Sequence, residues 1–303
     1  MSRRIEIVEV GPRDGLQNES VVLDVGKKVE FITRLEACGV RRIEAVSFAN
    51  PRRVPQMSGA EAVMASLPVA AQSSRIGLVL NQRGWDRAVA ARCDEANIVV
   101  CASNGFGIRN QGANVADQVA AMAAIAERRA RTGGPILSLT IAVAFGDPFD
   151  GEVTIDQVVA IAREAAAAGI GEIALADTIG VADPWTVRAR IEAVRKAAPD
   201  ALIRLHFHNS RNTGLANAYA GVEAGAEALD ASCGGIGGCP FAPAATGNIG
   251  TEDLVYMLER GGIETGLNLD GLIDTGRWIG QQLGRAPPSA LTRVDRFPLS
   301  VTD

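Results

Sequence analysis

The stretch EIALADTIGVADPWTVRARIEAVRKAAPDALIRLHFH, residues 172–208, decides the fold class, because it predicts a strand, a helix and a second strand in succession. Its two ends, Glu172–Ala176 and Leu202–His208, are short β-rich runs, and the segment Pro184–Ala197 between them is Ala-rich and amphipathic. A helix between two such strands is typical of a parallel sheet covered by helices. Several strands of the chain are nearly continuous apolar runs, which indicates burial on both faces of the sheet.

The same unit recurs along the whole chain of 303 residues. Eight strands are predicted, at Ile5–Val10, Arg42–Ser47, Arg75–Leu80, Ala96–Cys101, Leu137–Phe145, Glu172–Ala176, Leu202–His208 and Ala228–Ser232. Eight such units close into an α/β barrel of the (β/α)8 or TIM type. The alternative is an open doubly wound sheet, but no Gly-x-Gly-x-x-Gly motif follows the first strand. We expect the barrel domain to cover residues 1–265. Residues 266–303 are expected to form a helical extension packed on the barrel, with its last residues loosely held.

The composition predicts a folded protein with an aliphatic core, since 47% of the residues are hydrophobic and only 4% are aromatic. Thirty Lys and Arg against 35 Asp and Glu give a net charge of -5, and no long basic run occurs, so nucleic-acid binding is not expected. Five cysteines without a Cys-x-x-Cys pair indicate neither a disulfide framework nor a zinc knuckle. No apolar stretch is long enough to span a membrane. Because the N-terminus leads directly into a strand, we expect a cytoplasmic protein without a signal peptide.

Unusual polar residues fall at the ends of the predicted strands. In a barrel of this type the carboxyl ends of all strands meet at one mouth, where the chemistry takes place. Residues separated by more than 200 positions in sequence are therefore predicted to converge there: Arg13, Asp14, Glu44, Ser47, Asp177, His206, His208, Cys239 and Asn248.

The two histidines of the chain occur together, as His206-Phe207-His208. Residues two apart on a strand point to the same face, so both imidazoles are predicted to enter the barrel mouth. Two imidazoles and a carboxylate such as that of Asp14 form a suitable site for a divalent metal ion with open coordination positions. The alternative is a pair of core or surface histidines with ordinary hydrogen-bond partners.

Three further charged residues have a functional and a structural interpretation. Arg13 and Asp14 follow a buried strand, where charges are costly unless they are paired, and a guanidinium can hold an enolate oxygen; the alternative is a simple turn. Glu44 can either orient Arg13 through an ion pair or act directly in catalysis, and both readings stay open. Asp177 is either a site residue or part of a strand-end turn and helix cap.

The segment SCGGIGGCP, residues 232–240, contains four glycines in five positions. It is either an ordinary flexible loop or a mobile lid that brings Cys239 over the site, since glycine permits the backbone angles that such a movement requires. In the second case the Cys239 thiol could transfer a proton.

Six strings resemble the hydroxymethylglutaryl-CoA lyase family, which belongs to a broader group of metal-dependent TIM-barrel lyases and Claisen-type synthases. They are VEVGPRDGLQNE (8–19), IEAVSFANPRRVPQM (43–57), ADTIG (176–180), HFHNSRNTGLANA (206–218), GGIGGCPFAPAATGN (234–248) and TEDLVYML (251–258). The resemblance implies Mg²⁺ or Mn²⁺ bound by Asp14, His206, His208 and Asn248. It also implies catalytic roles for Arg13, Cys239, Glu44 and Asp177, with Gln17 and Ser47 predicted to contact the substrate, and a homodimer.

The implied reaction is the retro-Claisen cleavage of a 3-hydroxy-3-methylglutaryl-CoA-type thioester to acetyl-CoA and a keto acid. Departures from the family pattern predict an altered substrate pocket: Asn209–Asn212 stands where the lyases have Asp-Thr-Tyr-Gly, and Gly146–Phe149 stands where they have Gly-Cys-Pro-Tyr. A lysine usual after GLQNE is Ser20 here. Citramalyl-CoA or another 3-hydroxyacyl-CoA is therefore an alternative substrate. A condensing acyltransferase similar to isopropylmalate synthase and a barrel that binds CoA ligands without catalysis are further alternatives.

Overall fold

The structure, a computed structural model, describes residues 3–68, 73–238, 247–294 and 297. Eight parallel strands close into a barrel in the order β1 to β8, with β8 paired to β1. The strands are β1 (Glu6–Glu9), β2 (Arg42–Ser47), β3 (Ser74–Val79), β4 (Glu95–Cys101), β5 (Ile136–Ala142), β6 (Glu172–Asp177), β7 (Leu202–Phe207) and β8 (Ala228–Ala231). The prediction of a (β/α)8 barrel is confirmed.

Ten α-helices within the described ranges cover the barrel and extend beyond it. They are α1 (Val25–Ala37), α2 (Ala60–Ser66), α3 (Gln82–Ala90), α4 (Asn104–Gln111), α5 (Val115–Thr132), α6 (Ile155–Ala167), α7 (Pro184–Ala197), α8 (Gly214–Glu223), α9 (Thr251–Arg260) and α10 (Leu269–Leu283). No helix of the described residues is both long and apolar enough to cross a membrane.

Helix α7 illustrates how side-chain capping fixes the residue at which a helix begins. The Asp183 side chain accepts hydrogen bonds from the backbone N–H groups of Trp185 and Thr186. In return, Thr186 Oγ1 accepts a hydrogen bond from the Asp183 backbone N–H. Pro184 occupies the first turn, where its missing N–H is not needed. The apolar positions of the helix, among them Val187, are buried in the hydrophobic core. Local capping therefore fixes the start of the helix, and packing of its apolar face holds it on the barrel.

Strand β5 ends earlier than the sequence predicts, at Ala142 rather than at Phe145. Val143 has a φ of 49°, in the left-handed region that a β-branched residue rarely adopts. Its N–H donates to Thr178 Oγ1 at 2.8 Å instead of continuing the ladder to β6. The apolar run continues to Phe145 because these residues are buried in the core, although they are no longer in the sheet.

Within the described residues, the segment after residue 265 contains one α-helix, α10. Helix α10 packs against α1 and α9, and the rings of Trp278 and Phe31 lie 6.0 Å apart between α10 and α1. The division of the chain at residue 265 stays a prediction.

Candidate active site

The segment that carries Arg13 and Asp14 is a tight π-helical turn, Gly11–Gly15, directly after β1. Two glycines permit its close packing. A Cβ at Gly11 would lie 2.7 Å from a carboxylate oxygen of Glu9, and a Cβ at Gly15 would lie 2.7 Å from Ser232 Oγ. The glycines therefore let the turn lie against the loop that follows β8, and Asp14 remains half-buried at the mouth.

Asp14, His206 and His208 are brought together, with one ligand atom from each within 4.8 Å of the others. The Nε2 atoms of His206 and His208 lie 3.8 Å and 3.6 Å from Asp14 Oδ2. The two imidazole rings are side by side, with centroids 5.1 Å apart. These three residues lie together at the mouth, as predicted, with His206 in β7 and His208 directly after the last residue of that strand.

The donor set fits a divalent cation. Burial alone would raise the pKa of Asp14, but the charge of Arg13 and the neighbouring imidazoles hold this pKa well below its ordinary value, so the carboxylate is anionic. The His206 Nδ1 atom lies 3.2 Å from Asp230 Oδ2, which leaves Nε2 to face Asp14. Two imidazole nitrogens and one carboxylate around a common point are a recognised donor set for a metal ion with open positions.

Asn248 is beside this cluster, but its amide is turned the other way from a metal ligand. Its Nδ2 donates to Asp14 Oδ2 at 2.9 Å and to the Ile236 carbonyl oxygen at 3.2 Å. A metal ion would require the amide oxygen at this place, and a half-turn of the amide group exchanges the two atoms. The role of Asn248 as a ligand therefore stays a prediction.

Arg13 is buried and held by two carboxylates. Its Nε and Nη2 lie 2.8 Å and 2.5 Å from Glu44 Oε2, and its Nη1 lies 2.6 Å from Asp14 Oδ1. The second oxygen of Glu44 accepts a hydrogen bond from Asn97 Nδ2 at 3.1 Å, and Asn97 Oδ1 accepts one from Thr140 Oγ1 at 3.0 Å. Both oxygens of Glu44 are thus engaged, which favours the interpretation that Glu44 orients Arg13.

Asp177 is buried at the end of β6, and its two oxygens accept hydrogen bonds from the backbone N–H groups of Val181 and Ala182, at 2.8 Å and 3.0 Å. Burial raises its pKa above the ordinary value, against the effect of these hydrogen bonds. The geometry supports the turn interpretation. Ser47 is buried and its Oγ accepts from the Ala49 N–H at 3.2 Å, while Gln17 is half-buried just after the Gly11–Gly15 turn. Their contact with substrate stays a prediction.

Cys239 lies outside the described residues, but the residues on either side of residues 239–246 are at the site. Asn18 Nδ2 donates to the Gly238 carbonyl oxygen at 2.8 Å. A Cβ at Gly237 would lie 2.7 Å from Asn248 Nδ2, and a Cβ at Gly247 would overlap the Gly237 carbonyl group. The two flanks therefore meet beside Asp14 and Asn248.

Two buried carboxylates that contact residues of the site, Asp230 and Glu9, were not predicted from the sequence. Asp230 on β8 contacts His206, and its signal was a single carboxylate within the apolar strand Ala228–Ala231. Glu9 on β1 accepts hydrogen bonds from the N–H groups of Gly11 and Cys233 and from Thr251 Oγ1, at 2.7 to 2.9 Å. It thereby joins the Arg13–Asp14 turn to the loop after β8. Burial raises the pKa of Glu9 to about 7.

The chain is similar over most of its length to proteins of one family. The sequence model of the HMGL-like family matches residues 4–279. The chain is 43% identical over 300 residues to the (R)-citramalyl-CoA lyase of Chloroflexus aurantiacus, covering 96% of this chain and 94% of the relative. It is 34% identical over 292 residues to a hydroxymethylglutaryl-CoA lyase of Bacillus subtilis, covering 96% and 97%.

Among solved structures, an HMG-CoA lyase from Acinetobacter baumannii in complex with coenzyme A and 3-methylmalate superimposes with a TM-score of 0.92. That protein is 38% identical to this chain, and the match covers 97% of this chain and 96% of the other. The match of the family model over almost the whole barrel, together with these relatives, shows that the chain belongs to the HMGL-like family and is a carbon–carbon lyase.

Proposed function

We propose that this lyase catalyses the metal-dependent retro-Claisen cleavage of a 3-hydroxy-3-methylglutaryl-type CoA thioester, releasing acetyl-CoA and a keto acid. The observation that supports it is the position of Arg13 beside the cluster of Asp14, His206 and His208, with Nη1 of Arg13 2.6 Å from Asp14 Oδ1. A cation site and a fixed guanidinium at the same mouth suit a reaction in which a hydroxyl becomes a carbonyl while negative charge moves to a thioester oxygen.

Asp14, His206 and His208 would hold Mg²⁺ or Mn²⁺, with Asn248 as a fourth ligand. A bound divalent ion supplies Lewis acidity toward the tertiary hydroxyl and a neighbouring carboxylate oxygen of the substrate. In the cleavage a base takes the hydroxyl proton and the hydroxyl carbon becomes the carbonyl carbon of the keto acid. The C2–C3 bond breaks, and its electron pair passes to the acetyl thioester as an enolate, which is then protonated at carbon. With hydroxymethylglutaryl-CoA the keto acid is acetoacetate.

The proposed role of Arg13 is to hold the enolate oxygen. Three of its nitrogen atoms already have partners: Nε and Nη2 contact Glu44, and Nη1 contacts Asp14. A guanidinium has five N–H groups, so one N–H on each terminal nitrogen is left for a substrate oxygen. Because Arg13 is buried and anchored before the reaction, its charge requires little reorganisation as the enolate forms.

The proposed proton donor to the enolate carbon is Cys239. Before this residue, Gly237 lies against Asp14, Gly15 and Asn248, and after it Gly247 lies against Gly237. The position of these flanking residues at the site supports the assignment of the proton donor to Cys239.

Citramalyl-CoA is the second candidate substrate, and its cleavage would give acetyl-CoA and pyruvate by the same chemistry. The observation that favours it is the 43% identity to a protein named (R)-citramalyl-CoA lyase, against 34% to a protein named hydroxymethylglutaryl-CoA lyase. The two substrates differ by one methylene between the tertiary carbon and the free carboxylate, which in a pocket is worth about 1–3 kcal/mol of discrimination.

The test is an assay of acetyl-CoA release from each thioester with Mg²⁺ or Mn²⁺, using the wild type, His208→Ala and Lys196→Ala. Lys196 is on the exposed face of α7 and serves as the control. We expect metal-dependent cleavage by the wild type and the control, and none by His208→Ala. The ratio of kcat/KM for the two thioesters identifies the substrate. Absence of cleavage of both would overturn the proposal.

A further inference from the structure

The two histidines of the site differ in what holds the far side of each ring. His206 Nδ1 lies 3.2 Å from Asp230 Oδ2, in a buried contact between neighbouring strands. His208 Nδ1 is also buried, yet it has no hydrogen-bond partner among the described residues. The Nε2 atoms of both rings face the same carboxylate, Asp14. Both rings therefore present the same atom, Nε2, to the cation position. On the opposite side of the ring, only His206 has a hydrogen-bond partner among the described residues.

The strand register produces this contact. Asp230 on β8 is directly opposite His206 on β7 in the parallel ladder, so their side chains lie on the same face of the barrel wall. Asp230 is only 5% exposed. Its other oxygen, Oδ1, lies 3.5 Å from Nε of Arg204, whose side chain is 1% exposed. Arg204 also lies 3.3 Å from Glu172 Oε1. Because Arg204 is always charged and is buried, it favours an anionic Asp230.

An anionic carboxylate can only accept hydrogen bonds, and a neutral imidazole carries a single N–H. The contact with Asp230 therefore requires the proton of neutral His206 on Nδ1. The lone pair of Nε2 is then directed at the cation position beside Asp14. No described residue imposes a tautomer on His208 in this way.

We propose that Asp230 is a positioning residue that fixes the Nδ1–H tautomer and the ring orientation of His206, and so makes His206 the preorganised imidazole ligand of the pair. This inference rests on the metal site of the proposed function. Carboxylates behind ligating histidines commonly contribute 10- to 100-fold to metal affinity. Glu172, which contacts Arg204 but has no described contact with His206, provides the matched control.

The first measurement uses metal-free protein labelled with ¹⁵N-histidine at alkaline pH. The chain has only two histidines, so a spectrum of the His208→Ala variant assigns the ring signals. We expect Nδ1 of His206 to be protonated and Nε2 to be unprotonated in the wild type and in Glu172→Gln. In Asp230→Ala we expect both tautomers. Asp230→Asn keeps an acceptor oxygen and is expected to retain the Nδ1–H form.

The second measurement is Mn²⁺ binding to the same proteins by electron paramagnetic resonance. We expect Asp230→Ala to bind Mn²⁺ about 10- to 100-fold more weakly, Asp230→Asn to lie between it and the wild type, and Glu172→Gln to bind as the wild type does. Circular dichroism and thermal melts identify a variant that fails to fold. If Asp230→Ala does not fold, the test rests on the Mn²⁺ affinity of Asp230→Asn, which keeps the side-chain shape.

The inference is overturned if Asp230→Ala keeps a single Nδ1–H tautomer and wild-type Mn²⁺ affinity, or if Glu172→Gln loses as much affinity as Asp230→Ala. Because the tautomer is measured without metal, this measurement tests the role of Asp230 independently of the proposed metal site. A wild type that shows the Nδ1–H form but binds no Mn²⁺ would instead contradict the metal site.

Discussion

Both ends of the barrel interior carry charged side chains, but the arrangement of these side chains differs between the two ends. At the amino-terminal end, Arg42 lies 2.8 Å from carboxylate oxygens of Glu6, Glu95 and Glu172. At the carboxyl-terminal mouth, Asp14 contacts Arg13, and two imidazole nitrogens face its other oxygen at 3.6 and 3.8 Å. The first end is filled by ion pairs, and the second leaves several donors directed at one point.

The difference shows that burial of charge alone does not identify a site. Strands β2, β4 and β6 are not neighbours, so the contacts of Arg42 cross the barrel and close its base. At the mouth the chain leaves the strands and forms loops and turns, which bring Asp14 and Asn248 beside His206 and His208. Among the described residues, this end therefore combines side chains from a strand with side chains from loops, as expected for a barrel of this type.

The largest effect is expected for Asp14→Asn at the mouth. The substitution keeps the shape of the side chain but removes the charge that faces Arg13, His206 and His208. We expect Mn²⁺ affinity to fall by more than about 100-fold, beyond the usual effect of a residue behind a ligand, and cleavage to fall to background. Titration calorimetry measures the affinity, and wild-type affinity in this variant would exclude Asp14 as a ligand.

Arg13→Lys is expected to lower kcat by about 100- to 1,000-fold, the usual cost of losing one donor to an oxyanion. Lysine keeps the charge but cannot contact Glu44 and Asp14 with a planar fork. Steady-state kinetics at saturating metal measure the loss. Mn²⁺ affinity serves as the control and should change much less than in Asp14→Asn; an unchanged kcat would contradict the proposed role.

At the base, Arg42→Met should affect stability and leave the chemistry almost unchanged. Its side chain is 15% exposed and contacts three carboxylates, which would lose this ion-pair partner, although Glu172 would keep its contact with Arg204. We expect the free energy of unfolding to fall by about 3–5 kcal/mol, measured by urea denaturation. A variant with unchanged stability and a strongly reduced kcat would contradict the division between base and mouth.

The effect of pH on stability, gradual over several pH units, has opposite signs for a carboxyl group at the base and one near the mouth. The charges of Arg204 and Arg42 overcome the effect of burial and lower the pKa of Glu172, so its contribution to stability is lost as pH falls. Burial raises the pKa of Glu252 from 4.5 to about 8. The folded state therefore retains a proton that the unfolded state releases, and the free energy of unfolding should decrease as pH rises between about 4.5 and 8.

Glu252→Gln is expected to remove the part of that decrease that Glu252 contributes, at most about 1.4 kcal/mol per pH unit, while Glu9 retains its own contribution. Glu172→Gln is expected to remove only the contribution of Glu172 to the loss of stability at acid pH. Denaturant unfolding of metal-free protein at several pH values measures both slopes. Parallel curves for the wild type and Glu252→Gln would show that Glu252 is not protonated in the folded state.

Much of the site was predictable because barrel topology turns strand ends into neighbours. The His-x-His spacing placed both imidazoles on one face of β7, and Asp14 followed β1 by a short turn. These expectations needed only local periodicity and the rule that parallel strands present their carboxyl ends together. The interpretation of Glu44 as either an orienting or a catalytic residue could not be decided from sequence, because it depended on Asn97 of β4 as a second partner.

Local sequence patterns were enough to predict the alternation of strands and helices, the closure into eight units, and three residues that cluster at the mouth. Three features became evident only in the folded chain: the contact between Asp230 and His206, the partners of the Asn248 amide, and the end of β5 at Ala142. The reason is physical. Periodicity and capping are encoded within a few neighbouring residues, whereas the partner of a buried polar group depends on strand register and on loops distant in sequence.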